Sequence, residues 1–529
     1  MPTSSNDVTY VAPFTGGVSR ILTTKLAEYV TPGDFGAVGD GSADDTAAVQ
    51  AALDSGKDVL LVARYLVSDT INVNTRGQRI FGLMGPGTTS RAAIMMSTGS
   101  TAPIVLNIRA HAVCLENFIV IGRSQLEADT LVIFAEEDYQ VTPDGKNNGD
   151  VDLKITNCAI GRGETLIRIK GRGLNVTQCN LVSFTHGIEI DWPDEQDPED
   201  AEDPDPAKFN PGPNFDNKLL GGMRAYMIRD NRFHAGSGGY LVRNIGWNKA
   251  NIHGIQFIGN YIDTNCRIFE GTANESIFSD NILIHSVAPN FLFSVSGGDN
   301  VRIADNMFYG MVDNGEGQTR EILGGVLLSG VSNVSIDGNH FKRVTRDVLS
   351  LGTGCTNVAF RGNVMKDVCL ANDVSTESQR YVVRINDPVD GLIISENMVD
   401  NPSMLRNPPM IGLATTSAAV SGLVVRDNIL PDGISTHELT TAMRQAVTDT
   451  SRAVLAYDGD GTASQTLTLR FAPVFVMVSI TTGTDRGRSM SVSAMASAGS
   501  DLVEISGRDV IVKGAWNATA TSYTVFAVT

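Results

Sequence analysis

From about residue 113 to 430 the chain repeats one octet of apolar and polar positions: apolar, any, apolar, any, Asp/Gly/Asn, Asn, any, apolar. It reads Val301-Arg-Ile-Ala-Asp-Asn306-Met-Phe308, Val334-Ser-Ile-Asp-Gly-Asn339-His-Phe341 and Val358-Ala-Phe-Arg-Gly-Asn363-Val-Met365. Two further copies end in Asn397-Met-Val399 and Asn428-Ile-Leu430, and Asn231, Asn260 and Asn281 hold the same slot upstream. Cys158 and Cys179 replace the asparagine in otherwise matching octets, and Val113–Val120 is a weaker copy with Phe118 in the slot. Successive slots from 158 onward are 21, 52, 29, 21, 25, 33, 24, 34 and 31 residues apart.

Alternating apolar residues before the slot predict a strand with one buried face. Asp-Asn and Gly-Asn supply residues that tolerate left-handed backbone at a corner. A strand and a sharp corner every 21 to 34 residues, with longer insertions, predict an all-β chain wound as a right-handed parallel β-helix. In such a solenoid each coil buries its inward side chains on the next, and identical turn residues stack about 4.8 Å apart. The asparagines and Asp230, Asp280, Asp305 and Asp427 are therefore expected to be structural.

Composition changes the picture in three ways. With 42% hydrophobic residues the chain can bury a large core, and 53 glycines with 6% aromatics suit stacked coils and corners. No run approaches 18 apolar residues, so no membrane insertion is expected. A net charge of 41 − 59 = −18 argues against a general nucleic-acid binder, which needs a basic footprint. The six cysteines include no Cys-x-x-Cys pair and the seven histidines no His-x-x-x-His pair, so reduced buried thiols, no metal site and no cofactor are expected.

The segment from Asp34-Phe-Gly-Ala-Val-Gly-Asp-Gly to Asp44-Asp45-Thr-Ala-Ala-Val-Gln-Ala-Ala-Leu53 closely resembles the opening of the pectate-lyase-like β-helix superfamily. The resemblance implies an N-terminal capping helix whose apolar side (Ala48, Val49, Ala52, Leu53) plugs the open end of the solenoid. Asp44 and Asp45, at the helix start, are placed to satisfy its free N–H groups. Asp58–Tyr65 and Leu66–Val73 would follow as the first coil strands.

Tyr10–Glu28 is similar to the short leader of bacteriophage tailspikes, and Leu469–Ser479, Asp509–Trp516 and Tyr523–Val528 resemble the small β-sandwich that closes many phage spikes. Together these resemblances imply a tailspike polysaccharide depolymerase that assembles as a homotrimer, is carried on the virion tail and acts at the bacterial surface. Residues 1–30 would be a leader binding the phage tail or an adaptor, 31–435 the capped β-helix, 436–452 a linker or neck, and 453–529 the C-terminal β-sandwich, for trimerisation or carbohydrate binding. The Asn-Thr-Asp and Gly-His-Gly motifs of polygalacturonases and the Asp-Pro-His-Glu of alginate epimerases are absent, so no catalytic set carries over residue by residue.

The chemistry has to be read from the residues. The 52-residue interval after Cys179 holds ten carboxylates and no Lys or Arg between Glu189 and Asp205, a composition that must remain a solvated loop. Just before it, Gly187-Ile-Glu189-Ile-Asp191-Trp192 alternates, pointing Ile188 and Ile190 inward and Glu189 and Asp191 outward. Residues i and i+2 on a strand lie about 6.6 Å apart, near the roughly 6.5–9.5 Å of inverting glycosidase carboxylates.

A coil of 21 residues puts Arg168 beside Glu189 and Lys170 beside Asp191. Aligning Phe269-Glu270-Gly271 with Ile169-Lys170-Gly171 adds Glu270 to that face. Glu189, Asp191 and Glu270 are the catalytic candidates, and Trp192, Arg168 and Lys170 the sugar-binding ones. The competing structural reading is a set of cross-strand ion pairs on an exposed sheet. Asp313–Glu321 and Asn372–Arg380 are further loops able to supply an acid. Endo-glycosidic hydrolysis of a surface polysaccharide (capsule, exopolysaccharide or O-antigen) leads. A uronate lyase and a non-catalytic receptor-binding spike are the alternatives.

Overall fold

A computed structural model describes residues 8–26, 28–83, 92–123, 130–136, 150–191, 225–245, 252–284, 290–310, 322–370, 380–401, 410–413, 420–426, 428–429 and 437–438, and seven strands between 452 and 528. The chain divides into two compact units, residues 1–294 with 309–320 and residues 295–308 with 321–529. Both are built almost wholly from parallel strands wound as a right-handed β-helix.

In the first unit, helix Thr46–Asp54 buries Ala48, Val49, Ala52 and Leu53, the four residues expected to plug the solenoid. Its two leading aspartates divide differently from expectation. Asp44 Oδ1 accepts the Thr46 N–H at 3.0 Å, as a cap should. Asp45 makes no cap bond to the helix; its carboxylate accepts the N–H groups of Val38 and Gly39 at 2.7 and 3.0 Å. It therefore ties down the incoming loop, whose donors would otherwise be orphaned.

Behind the helix one parallel sheet runs through Val59–Leu61, Arg79–Gly82, Cys114–Glu116, Asp150–Thr156, Arg172–Thr177, Tyr226–Arg229, Ile255–Ile258 and Ile277–Ser279. A second contains the long strands β1 (Ala159–Lys170), β2 (Asn180–Asp191), β3 (Arg232–Asn244) and β4 (Tyr261–Gly271). Their inward side chains stack, with Phe184, Phe233, Phe257 and Phe278 in successive ring contacts of 6.3, 5.6 and 6.5 Å.

The second unit repeats the design. Gly298–Ala304, Val331–Asp337, Thr356–Arg361, Val389–Ser395 and Val420–Arg426 form one parallel ladder. The short strands β5 (Val326–Leu328), β6 (Leu349–Leu351), β7 (Val383–Ile385) and β8 (Ile411–Leu413) form another. At its C-terminal end, strands between Arg452 and Val528 make the two small antiparallel sheets expected of the β-sandwich.

The octet's asparagines line up as expected. Oδ1 of Asn231, Asn260 and Asn281 accepts the backbone N–H of the preceding slot residue, Cys179, Asn231 and Asn260, at 2.9–3.0 Å. The second unit continues the pattern from Asn306 through Asn339, Asn363 and Asn397 to Asn428 at 3.0–3.1 Å. Each Nδ2 in turn donates to a strand carbonyl, such as Asn363 to Ile336 at 2.9 Å. The residue before each of these slots is left-handed where described, including the non-glycines Asp230 (φ 55°), Asp280 (φ 58°), Asp305 (φ 56°) and Glu396 (φ 60°). That corner turns the asparagine inward, where it satisfies backbone groups that no strand partner reaches. The six cysteines are free thiols, five of them buried, and no helix is long and apolar enough to cross a membrane.

Candidate functional site

The outward face of β1 to β4 brings several of the expected residues together. Arg168 pairs in register with Glu189, and Lys170 with Asp191, as the 21-residue coil requires. Glu189 is next to Arg243 on β3, and Arg243 next to Glu270 on β4, so Arg168, Glu189, Arg243 and Glu270 form one column of alternating charge. Glu270 belongs to the column of Arg168 rather than that of Lys170. Matching glycines placed it two residues off; counting from the slot gives the correct register. Arg168, Glu189 and Glu270 each lie ten residues after their slots at 158, 179 and 260.

Arg243 breaks that count, lying twelve residues after Asn231. The cause is local: Phe184 faces Gly236 while Ile188 faces Val242, so β3 carries two extra residues across this stretch. Gly236, Gly238 and Gly239 absorb them; Gly238 has φ 84°, and a Cβ on Gly239 would run into the Thr185 carbonyl and the His186 ring. The bulge re-aims β3 and sets Tyr240 and Arg243 onto the carboxylate of Glu189.

Glu189 differs most from expectation. It points outward but is only 1% exposed, because its neighbours cover it. Oε2 accepts Nε of Arg168 at 2.6 Å and lies 2.6 Å from the same residue's Nη2. Oε1 accepts the Tyr240 hydroxyl at 2.6 Å and Nη2 of Arg243 at 3.0 Å. A carboxylate offers about four lone-pair sites, and here four donor atoms face them. Burial alone would raise this carboxyl; the Tyr240 hydroxyl and the two guanidiniums outweigh it and hold it below the ordinary value. A carboxylate so engaged has no lone pair left for a substrate proton. The geometry gives Glu189 a positioning role, in place of the direct proton transfer expected from its alternation.

Tyr240 is fixed from several sides. Its ring stacks on His186 with centroids 4.1 Å apart and planes 7° apart, and the Arg243 guanidinium lies 4.2 Å from its centroid. Burial, then the Glu189 carboxylate, pushes its phenol far up, so the hydroxyl remains a donor. Burial likewise lowers the His186 imidazole, favouring the neutral ring that stacks here. Around this fixed centre lie partly exposed groups: Arg168, Arg243, Arg267 and Glu270, with side chains 33%, 32%, 23% and 34% exposed. Glu270 is ion-paired with Arg267 three residues before it. Asp191 and Lys170 stand side by side at the strand ends, with the Lys170 ammonium 5.9 Å from the Phe134 ring centroid.

Tyr240, Arg243, Arg267 and His186 were not singled out from sequence. The slot count would have found Arg267 and His186, both seven residues after a slot. Trp192, the acidic stretch to Asp205, the Asp313–Glu321 loop, the greater part of the Asn372–Arg380 loop and most of the 436–452 neck lie outside the described residues. Among the described residues no group of three or more His, Cys, Asp and Glu is placed to hold a metal ion.

No family model matches the sequence. No curated protein matches it either. Among solved structures, the Dettilon tailspike protein superposes with a TM-score of 0.51 at 12% identity, covering 96% of each chain. A PL6 alginate lyase in complex with a trisaccharide gives 0.49 at 10% identity, covering 76% of this chain and 84% of its own. The tailspike of E. coli bacteriophage HK620, as a mutant in complex with a pentasaccharide, gives 0.48 at 10% identity, covering 100% and 98%. At such identities the likeness is one of fold, the right-handed β-helix seen in the Dettilon tailspike.

Proposed function

We propose that this chain is a phage tailspike that binds and depolymerises a bacterial surface polysaccharide, by endo-glycosidic hydrolysis on the outer face of β1 to β4. One observation carries the reading: a saturated, buried carboxylate, Glu189, holds two arginines and a tyrosine in place between two partly exposed acids, Asp191 and Glu270. Preorganised charge beside a pair of acids is what glycoside cleavage needs. The fold shared with a tailspike over 96% of the chain supports the setting.

In this reading Glu189 is the positioning residue, and Glu270, held beside Arg267, is the base that activates water. Asp191 is the acid that protonates the leaving oxygen. Strand spacing sets the backbones of Asp191 and Glu270 about 12 Å apart, and side chains leaning over Arg243 can close this to an inverting separation of roughly 6.5–9.5 Å. Arg168 and Lys170 orient hydroxyls, and Trp192 supplies a stacking ring. The protein works as a homotrimer, attached through residues 1–30 to the phage tail or an adaptor. A second reading rests on the three arginines Arg168, Arg243 and Arg267, which could neutralise a uronate carboxylate in a lyase.

Incubation with polysaccharide from susceptible cells decides among these. Fragments with new reducing ends and no ultraviolet-absorbing unsaturation are expected; unsaturated ends would move the assignment to a lyase. Binding without fragments would overturn both. Glu270→Gln and Asp191→Asn should each lower the cleavage rate by about 10²–10⁴-fold without loss of the fold.

A further inference from the structure

The second unit holds another arginine built into a polar frame, on the outward side of β6, β7 and β8. Ser350, Arg384 and Gly412 are neighbours in register. Arg384 Nε donates to Asn386 Oδ1 at 3.1 Å, and Asn386 Nδ2 donates to Ser350 Oγ at 2.8 Å, so the guanidinium plane is fixed while the side chain stays 22% exposed. Gly412 is required next to it, because a Cβ there would run into the ring of Tyr381, which lies against the β8 backbone. The Arg384 guanidinium lies 6.0 Å from the centroid of that ring.

The carboxyl nearest to Arg384 is a poor counter-ion. Asp347 is 3% exposed, and its Oδ1 accepts the Tyr381 N–H at 2.9 Å. Its Oδ2 stands 3.9 Å from Arg384 Nη1, beyond hydrogen-bond distance. Burial pushes this carboxyl up, ahead of the lowering by the Tyr381 N–H, Arg384 and Arg380, so it keeps its proton to a higher pH than an ordinary aspartate. Arg384 and Arg380 thus carry positive charge that Asp347 offsets less than Glu189 offsets Arg168 and Arg243.

We infer that Arg384, framed by Asn386 and Ser350, is a second glycan-binding site that takes an anionic substituent, a carboxylate or a phosphate. A planar guanidinium matches both groups and binds them more strongly than a hydroxyl. The inference rests on the polysaccharide reading for its ligand class, yet it needs no cleavage at β1 to β4.

The test is calorimetric titration of the full chain at low salt with trigalacturonate, glucose 6-phosphate and the neutral maltotriose. At least one anionic sugar is expected to bind and maltotriose not to compete; trigalacturonate alone assigns a carboxylate, glucose 6-phosphate alone a phosphate. Arg384→Gln should weaken binding about 10-fold or more. Asn386→Asp keeps an acceptor for Arg384 Nε but adds a competing carboxylate, and should weaken it similarly. Binding should persist in Glu270→Gln, so that loss of cleavage and loss of anion binding are read separately. Failure of both anionic sugars to bind, competition by maltotriose, or unchanged affinity in both variants would overturn the site.

Discussion

Glu189 and Asp347 are both carboxyls buried on an outward strand face, each with a tyrosine and two arginines nearby, and their ionisation is pushed in opposite directions. Glu189, at 1% exposure, faces four donor atoms within 3.0 Å. Asp347, at 3%, accepts the backbone N–H of Tyr381 and keeps Arg384 at 3.9 Å. Equal burial therefore does not fix the charge. What fixes it is how many donors the surrounding strands aim at the oxygens, because each donor repays part of the lost hydration of the anion. In the first unit the two-residue bulge of β3 supplies two of those donors, Tyr240 and Arg243.

The largest test of this contrast removes the ionised partner. Glu189→Gln should cost about 3–5 kcal/mol at neutral pH, because it strands two guanidiniums and a hydroxyl built around an anion. Denaturant or thermal unfolding measures it, and a loss below about 1 kcal/mol would mean that the four donors do not hold the site. The pH dependence has a fixed sign. Since the folded carboxyl lies below its ordinary value of 4.5, its stabilisation is present above that value and is lost as pH falls through the folded value. The Gln variant should lack this acid-side loss. Tyr240→Phe comes next, at about 1.5–3 kcal/mol for a lost hydrogen bond to a charged acceptor, and should move the acid-side loss to higher pH. An unshifted acid limb would show that the phenol contributes nothing to holding Glu189 ionised.

Much of the architecture was legible because it depends on local repetition. An alternating strand, a left-handed residue and an inward asparagine recur at readable positions, and Asp230, Asp305 and Glu396 occupy the corners that the octet assigns them. Within the site, Arg168 beside Glu189 followed from coil length alone. Arg243 did not, because a bulge changes register without leaving a motif, apart from the glycines at 236, 238 and 239. The burial of Glu189 was equally hidden. Alternation says which way a side chain points, but its covering residues lie 51 and 54 positions away on β3. Asp347 was missed for a different reason: it lies between strands, outside the octet, and its environment comes from Tyr381 and Arg384, more than thirty residues later.

The smallest expected effect is the sharpest test, because its sign is reversed. Asp347 has a folded value raised above its ordinary 3.8. Its favourable contribution is complete below that value and disappears as pH rises through the folded one, since the unfolded chain gives up its proton first. An amide in place of this carboxyl would keep an oxygen for the Tyr381 N–H and carry no ionisable proton. Asp347→Asn should therefore match the parent near pH 3 and equal or exceed its stability at pH 7, by up to about 1 kcal/mol. The measurement is a pair of unfolding curves at those two values. A loss of more than about 2 kcal/mol at pH 7 would mean that Asp347 is ionised and paired with Arg384 much as Glu189 is with Arg168. The two carboxyls would then obey one rule, and Arg384 would have no charge to spare for a ligand.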